Sequence, residues 1–379
     1  MRLRLVLLIF LPLIVLIYSC NEKIESYKPT PYTIDIPFPF PTELQIPQNN
    51  PLTVEGITLG RYLFYDGRLS GRTHPDSLMS CGTCHIQHNS FEAGINHPVF
   101  TGGYVHGING EQTQHVMLPL INLVWNGQGF AWSGFLYPDN PDEGFRGIED
   151  FVRIAVTAHN EMMGDTSRVA QLFQQLDGYP DLFAKAFGSE KVTFIRIEKA
   201  IAQFVRSLVS TNSRFDKYMR GELQLTPSEL NGYVLFTTEQ GADCFHCHGG
   251  SANPLFTNHL YYNNGKDSVF TDPGDHYSVS GDITDQGAYK APTLRNIALT
   301  GPYMHDGRFK TLDEVIDFYS EGVILAPYTD PLMHHAITGG VRLTAAEKTD
   351  LKAFILSLQD DEFLSDPRFS APQRFPDDL

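Results

Sequence analysis

Cys81-Gly82-Thr83-Cys84-His85 and Cys244-Phe245-His246-Cys247-His248 are two copies of one pattern, C-x-x-C-H. The spacing has a chemical reason. Two thiols on one helical turn can form thioethers to the two vinyl groups of a haem, and the adjacent imidazole is then held at the iron as its proximal ligand. A redox C-x-x-C pair or half of a zinc site needs neither the trailing His nor a second identical motif. The chain is therefore expected to carry two covalently bound c-type haems. Cys81, Cys84, Cys244 and Cys247 would attach them, and His85 and His248 would ligate the irons.

Around these motifs lie 379 residues, 42% of them apolar, enough for a sizeable core and for about two to three domains. One domain per haem gives an N-terminal haem domain over 53–215 and a C-terminal one over 216–379. The net charge of -16 argues against nucleic acid and is compatible with a basic electron donor.

Residues 1–19 begin with Arg2 and Arg4 and continue as an apolar run from Leu5 to Ile17, which reads as a secretory signal. The run is short for a membrane-spanning anchor, the competing reading. It ends at Ser19-Cys20, resembling a bacterial lipoprotein signal whose Cys becomes the acylated first residue. With four cysteines in the haem motifs and the fifth at the lipid site, none is left for a disulfide. These features put the protein on the periplasmic side of a bacterial membrane, lipid-anchored through Cys20.

Residues 20–52 are rich in Pro and polar residues, with KPTPYTIDIPFPFP over 28–41, and read as an extended tether; their aromatic content also allows them to lie along the body. Between Cys81 and Glu161, Gly, Asn and Pro are dense, so long ordered loops around a cofactor are expected. Helical spacing returns at Phe194, Ile197, Ile201, Phe204, Val205 and Leu208. Thr226-Pro227-Ser228-Glu229, Thr311 with Glu314, and Thr344 with Glu347 are capping boxes that open three further helices. The expected fold is mainly α: two cytochrome c-like haem domains with long loops and few strands.

Four further stretches carry a resemblance. They are Phe130-Ala131-Trp132-Ser133-Gly134, Glu161-Met162-Met163-Gly164, FVRSLVSTNSRFDKY over 204–218 and APTLRNIALTGPYMHDG over 291–307. Together with the haem motifs they resemble the bacterial di-haem cytochrome c peroxidases and their relative MauG. The resemblance implies a helical two-domain protein with a peroxide site at one haem and electron input at the other. It also implies that Glu161 is the acid–base carboxyl of the first pocket and that Trp132 is the aromatic between the haems, although Trp125 lies seven residues earlier.

Tyr319 falls where the peroxidases carry a Met ligand to the second iron, as in MauG; Met304 and Met333 are alternatives, and so is an ordinary core tyrosine on the face of Val315 and Ile316. Relatives also hold calcium between the haems and form homodimers. Here, however, the position of a calcium-binding Asn is Val116, a position often Gln is Phe151, and the Trp motif continues Ser133-Gly134-Phe135. A His that closes the first haem in some relatives has only His97 and His106 near its position, both read as loop histidines. His305 and Arg295 are read as packing or propionate partners. The leading expectation is a peroxidase reducing hydrogen peroxide with electrons from a cytochrome c or copper protein. The alternatives are a MauG-like oxidase of a protein side chain or small molecule, and a non-enzymatic electron-transfer cytochrome.

Overall fold

The structure is a computed structural model that describes residues 27–135, 147–250 and 252–378. The expected signal, 1–19, and Cys20 lie outside the described residues. The fold is mainly helical, and among the described residues the strands are two short ones, β1 (Tyr261–Tyr262) and β2 (Tyr289–Lys290), paired antiparallel.

The N-terminal half contains α1 (Val54–Tyr65), α2 (Cys81–Cys84), α3 (Ile148–Thr157), α4 (Thr166–Gln175), α5 (Tyr179–Phe187) and α6 (Phe194–Arg206). Thr53 and Thr193 cap α1 and α6 by accepting from the backbone N–H groups of Gly56 and Arg196. The two helices cross at Gly60, where a Cβ would stand 1.9 Å from the carbonyl oxygen of Ala200. Any side chain there would force the helices apart. Leu59, Leu63 and Phe64 of α1 then meet Ile197, Ile201 and Phe204 of α6 in the first core. Among the described residues of 81–161, the expected loop character holds outside the motif turn α2 and helix α3. Its Ile148, Val152 and Val156 recur every four residues and bury one stripe against that core.

The C-terminal half adds α7 (Arg214–Met219), α8 (Pro227–Phe236), α9 (Phe245–His248), α10 (Tyr277–Ser280), α11 (Leu312–Asp317), α12 (Ala345–Leu356) and α13 (Asp361–Ser365). The capping boxes at Thr226, Thr311 and Thr344 open α8, α11 and α12 as expected. Here α8 crosses α12 at Gly232, where a Cβ would meet the carbonyl oxygen of Asp350 at 1.9 Å. Phe215, Phe236, Phe256 and Phe354 fill the second core, with Phe354 5.2 Å from the rings of both Phe215 and Phe236. Such pairs contribute about 0.5–1.5 kcal/mol each beyond their buried area.

Two segments bear on the expected partition. The described part of the expected tether, residues 27–52, takes the alternative its aromatic content allowed and lies along the body as a strap. Ile34, Phe40 and Leu52 bury against Val124, Trp125 and Leu255, and Trp125 Nε1 donates to the Pro41 carbonyl at 2.8 Å. The apolar residues between the prolines need cover, and the body supplies it. Residues 361–378, expected with the second half, return to the first core instead. Phe363, Leu364 and Phe369 pack into it, and the Tyr65 hydroxyl donates to the Phe369 carbonyl at 2.7 Å.

The two resemblance stretches near the chain's middle and end are welded by buried polar groups. Arg295, fully buried, donates to both Asp216 oxygens at 2.8 and 2.6 Å, and its Nε donates to the Pro254 carbonyl. Asn296 donates to Ser210 and Ser90 and accepts from the Asp360 N–H. Those residues are specific to the sequence because each satisfies a polar group that would otherwise be buried alone.

Candidate active site

Each C-x-x-C-H motif opens onto a cavity. The first, about 380 Å³, is lined by Cys81, Cys84 and His85 together with Trp132, Glu161 and Met162. The second, about 200 Å³, is lined by Cys244, Cys247 and His248 together with Trp132, Tyr319 and His305. None of these four cysteines is in a disulfide. Burial pushes the thiols of Cys81, Cys84 and Cys247 up to about 12, and that of Cys244 higher still.

The two histidines are oriented alike. His85 Nδ1 lies 2.6 Å from the Phe91 carbonyl oxygen, and His248 Nδ1 lies 3.0 Å from that of Pro292. A carbonyl can only accept, so Nδ1 carries the proton in both rings and Nε2 keeps its lone pair for a metal. Burial lowers both pKa values to about 4, which holds the rings neutral at physiological pH. His259 also lines the first cavity, and its buried Nε2 has no hydrogen-bond partner among the described residues. Two thiols, a neutral imidazole and a largely apolar cavity in each half fit a covalently attached haem.

Glu161 sits in a turn after α3. Its own N–H bonds the Ala158 carbonyl at 3.2 Å, its carbonyl accepts from the Ile108 N–H at 2.8 Å, and Arg72 Nη1 donates to the Met162 carbonyl at 2.7 Å. Burial raises the carboxyl pKa, and its charge in turn raises those of the Cys81 and Cys84 thiols. Phe151 lines the same cavity, so the position that a Gln would fill is apolar.

Trp132 lines both cavities. Its Nε1 donates to the Val116 carbonyl at 2.8 Å, and its ring centroid is 6.4 Å from that of His305. Trp125 lines neither cavity and anchors the strap instead. Val116 lines the first cavity, and its N–H donates to the His305 carbonyl at 3.0 Å.

Tyr319 comes just after α11, where the helix widens into a π-turn over Phe318–Gly322. Its hydroxyl accepts from Asn264 Nδ2 at 3.0 Å, and burial raises its pKa. Met304 and Met333 line the same cavity, so all three candidate ligands face one space. His97 is spent: Nδ1 accepts from the Val99 and Phe100 N–H groups, and Nε2 donates to the Thr83 carbonyl. His106 does line the first cavity. Arg295 lines neither cavity and serves packing; His305 lines the second, stacked on Tyr289 at 3.5 Å.

Sequence reasoning missed the junction between the cavities. Lys290 lines both, is buried, and has its pKa lowered to about 7 by that burial; Nζ donates to the His259 carbonyl at 2.8 Å. Asp272 accepts from Tyr289 at 2.7 Å and pairs with His115 Nε2 at 2.6 Å. None of these residues lies in a motif. Adjacency to Ala291, where the long specific stretch begins, was the single available signal for Lys290.

A family model described as di-haem cytochrome c peroxidase matches residues 54–224. The methylamine utilization protein MauG of Methylophilus methylotrophus is 31% identical over 325 residues, covering 85% of this chain and 87% of that protein. Cytochrome c551 peroxidase of Nitrosomonas europaea is 31% identical over 273 residues, covering 70% of this chain and 73% of its own length. Among solved structures, a MauG-like protein associated with microbial copper homeostasis superposes with a TM-score of 0.77 at 32% identity, over 90% of this chain and 100% of its own.

Proposed function

This chain belongs to the family of di-haem cytochrome c peroxidases and MauG, and from that premise we propose that it is a peroxidase. It reduces hydrogen peroxide to water with electrons from a small periplasmic donor, a cytochrome c or a copper protein. The observation that carries this reading is that Trp132 is a wall of both cavities while Glu161 lines the first.

Cys81, Cys84 and His85 would hold one haem c and Cys244, Cys247 and His248 the other, and haem bound there would supply the redox chemistry. The Glu161 carboxyl takes a proton from one peroxide oxygen and returns it to the other, which leaves as water. Its raised pKa brings it closer to the working pH, where one group serves as base and then as acid. Phe151 keeps that side of the cavity apolar. Trp132 passes electrons singly from the second cavity toward the first, its plane fixed by the bond to the Val116 carbonyl. Two electrons and two protons turn one peroxide into two waters. Tyr319 is the side chain that would help hold the second haem. The protein works on the periplasmic side of a membrane, anchored through Cys20; no helix among the described residues is long and apolar enough to cross one.

Electron paramagnetic resonance of the holoprotein, fully oxidised and then half reduced, tests the proposal. A high-spin ferric signal in either state, altered by Glu161→Gln, supports it. Low-spin signals alone in both states would replace it with a non-enzymatic electron-transfer cytochrome. Tyr319 in the second cavity favours one further reading, a MauG-like oxidase of a protein side chain or small molecule. Peroxide consumption without added donor, leaving an oxidised side chain in a partner protein or an oxidised small molecule, would select that reading.

A further inference from the structure

A cluster outside the haem ligands lies at the rim of the second cavity. Asp243 directly precedes the second haem motif in a left-handed backbone conformation, φ 55°. Its side chain is 4% exposed, and its ion-pair partners are three imidazoles. Oδ2 lies 3.7 Å from His334 Nδ1 and 3.8 Å from His335 Nε2. Oδ1 lies 2.9 Å from His246 Nδ1, yet both atoms are buried and form no directed hydrogen bond.

Adjacent residues on a helix do not normally face one point. Here the short 3-10 helix Pro331–Thr338 is broken at Met333, and the rings of His334 and His335 come within 4.0 Å of each other, both turned to the same carboxylate. One donor atom from each of Asp243, His334 and His335 falls within 4.8 Å of the others. A tetrahedral ion with bonds of about 2.0–2.1 Å sets its ligands about 3.4 Å apart, so the two shorter pairs need to close by only a few tenths of an ångström. His335 would exchange its contact with the Glu239 carbonyl, 3.1 Å away, for the ion. A carboxylate and imidazoles are the donors that late first-row divalent ions take.

We propose that Asp243, His334 and His335 form a binding site for one Zn²⁺ or Cu²⁺ ion. Asp243 and His335 line the second cavity, so the ion ties the loop before Cys244 to the 331–338 segment and fastens that cavity's rim.

The test is equilibrium dialysis of the haem-loaded protein against Zn²⁺ after chelator treatment. One equivalent should bind, with its affinity reduced on the order of a hundredfold by Asp243→Asn and at least about tenfold by His334→Gln, but unchanged by His88→Gln. His334 is 47% exposed and outside the cavity wall, so its variant keeps both haems even where Asp243→Asn does not. Cu²⁺ at the same site should give an electron paramagnetic resonance signal split by two nitrogens, reduced to one in His334→Gln. No stoichiometric Zn²⁺ binding, or binding indifferent to His334→Gln, would overturn the proposal.

Discussion

The two cavities are built from the same parts and finished differently. In each, a helix pair crosses on a glycine, at Gly60 or Gly232, and a C-x-x-C-H turn follows the first helix. In each, the motif histidine donates Nδ1–H to a backbone carbonyl. The difference lies in the other lining residues. The first cavity receives Glu161 from a tight turn, and the second receives Tyr319 from a π-turn beside Met304 and Met333. A shared frame fits two cofactors of one kind, and under the proposed function the segments that complete each cavity separate acid–base work from electron delivery.

That contrast breaks first at Glu161. Glu161→Gln should lower peroxide turnover by about 10²–10⁴-fold while both haems stay attached, measured by steady-state kinetics and haem content. Turnover within a few-fold of the parent would make the two cavities functionally alike. The next largest effect is on stability. Arg206 and Glu149 form a buried pair in the first half, and Arg295 and Asp216 one in the second. Glu149→Gln and Asp216→Asn each leave a buried guanidinium without its counter-charge and should cost about 3–5 kcal/mol in denaturant unfolding. Unequal losses would show which half limits the whole.

Tyr319→Met should raise the reduction potential of the second haem alone and change peroxide turnover by less than about tenfold, read by spectroelectrochemistry beside kinetics. The smallest effect belongs to the junction. Burial alone would raise the pKa of Asp272, but hydrogen bonds from the Gly274 N–H, Tyr289 and His115 bring it below its ordinary 3.8. Its contribution to stability is therefore present above pH 3.8 and lost as the pH falls toward the lower folded value. Asp272→Asn should flatten the acid limb of a melting-temperature profile below about pH 4 and leave the neutral region nearly parallel to the parent.

Features that rest on local chemistry were legible from residue order alone. Thioether spacing marks Cys81, Cys84, Cys244 and Cys247 whatever the fold around them, and a Thr three residues before a Glu caps α8, α11 and α12 through bonds inside one turn. The resemblance led to Glu161, Trp132 and Tyr319, which line the cavities. Tertiary structure alone decided the rest. Trp132 touches both cavities only because Lys290, Pro292 and their neighbours return from the other half of the chain. Lys290 has a lowered pKa because remote segments exclude water from it. His97 and Arg295 were drawn into backbone and ion-pair bonds by partners far along the chain or across a loop. Residue type and spacing report what a side chain can do within one turn of backbone. Which of those capacities is used depends on burial and on the group that stands opposite, and both are properties of the packed chain.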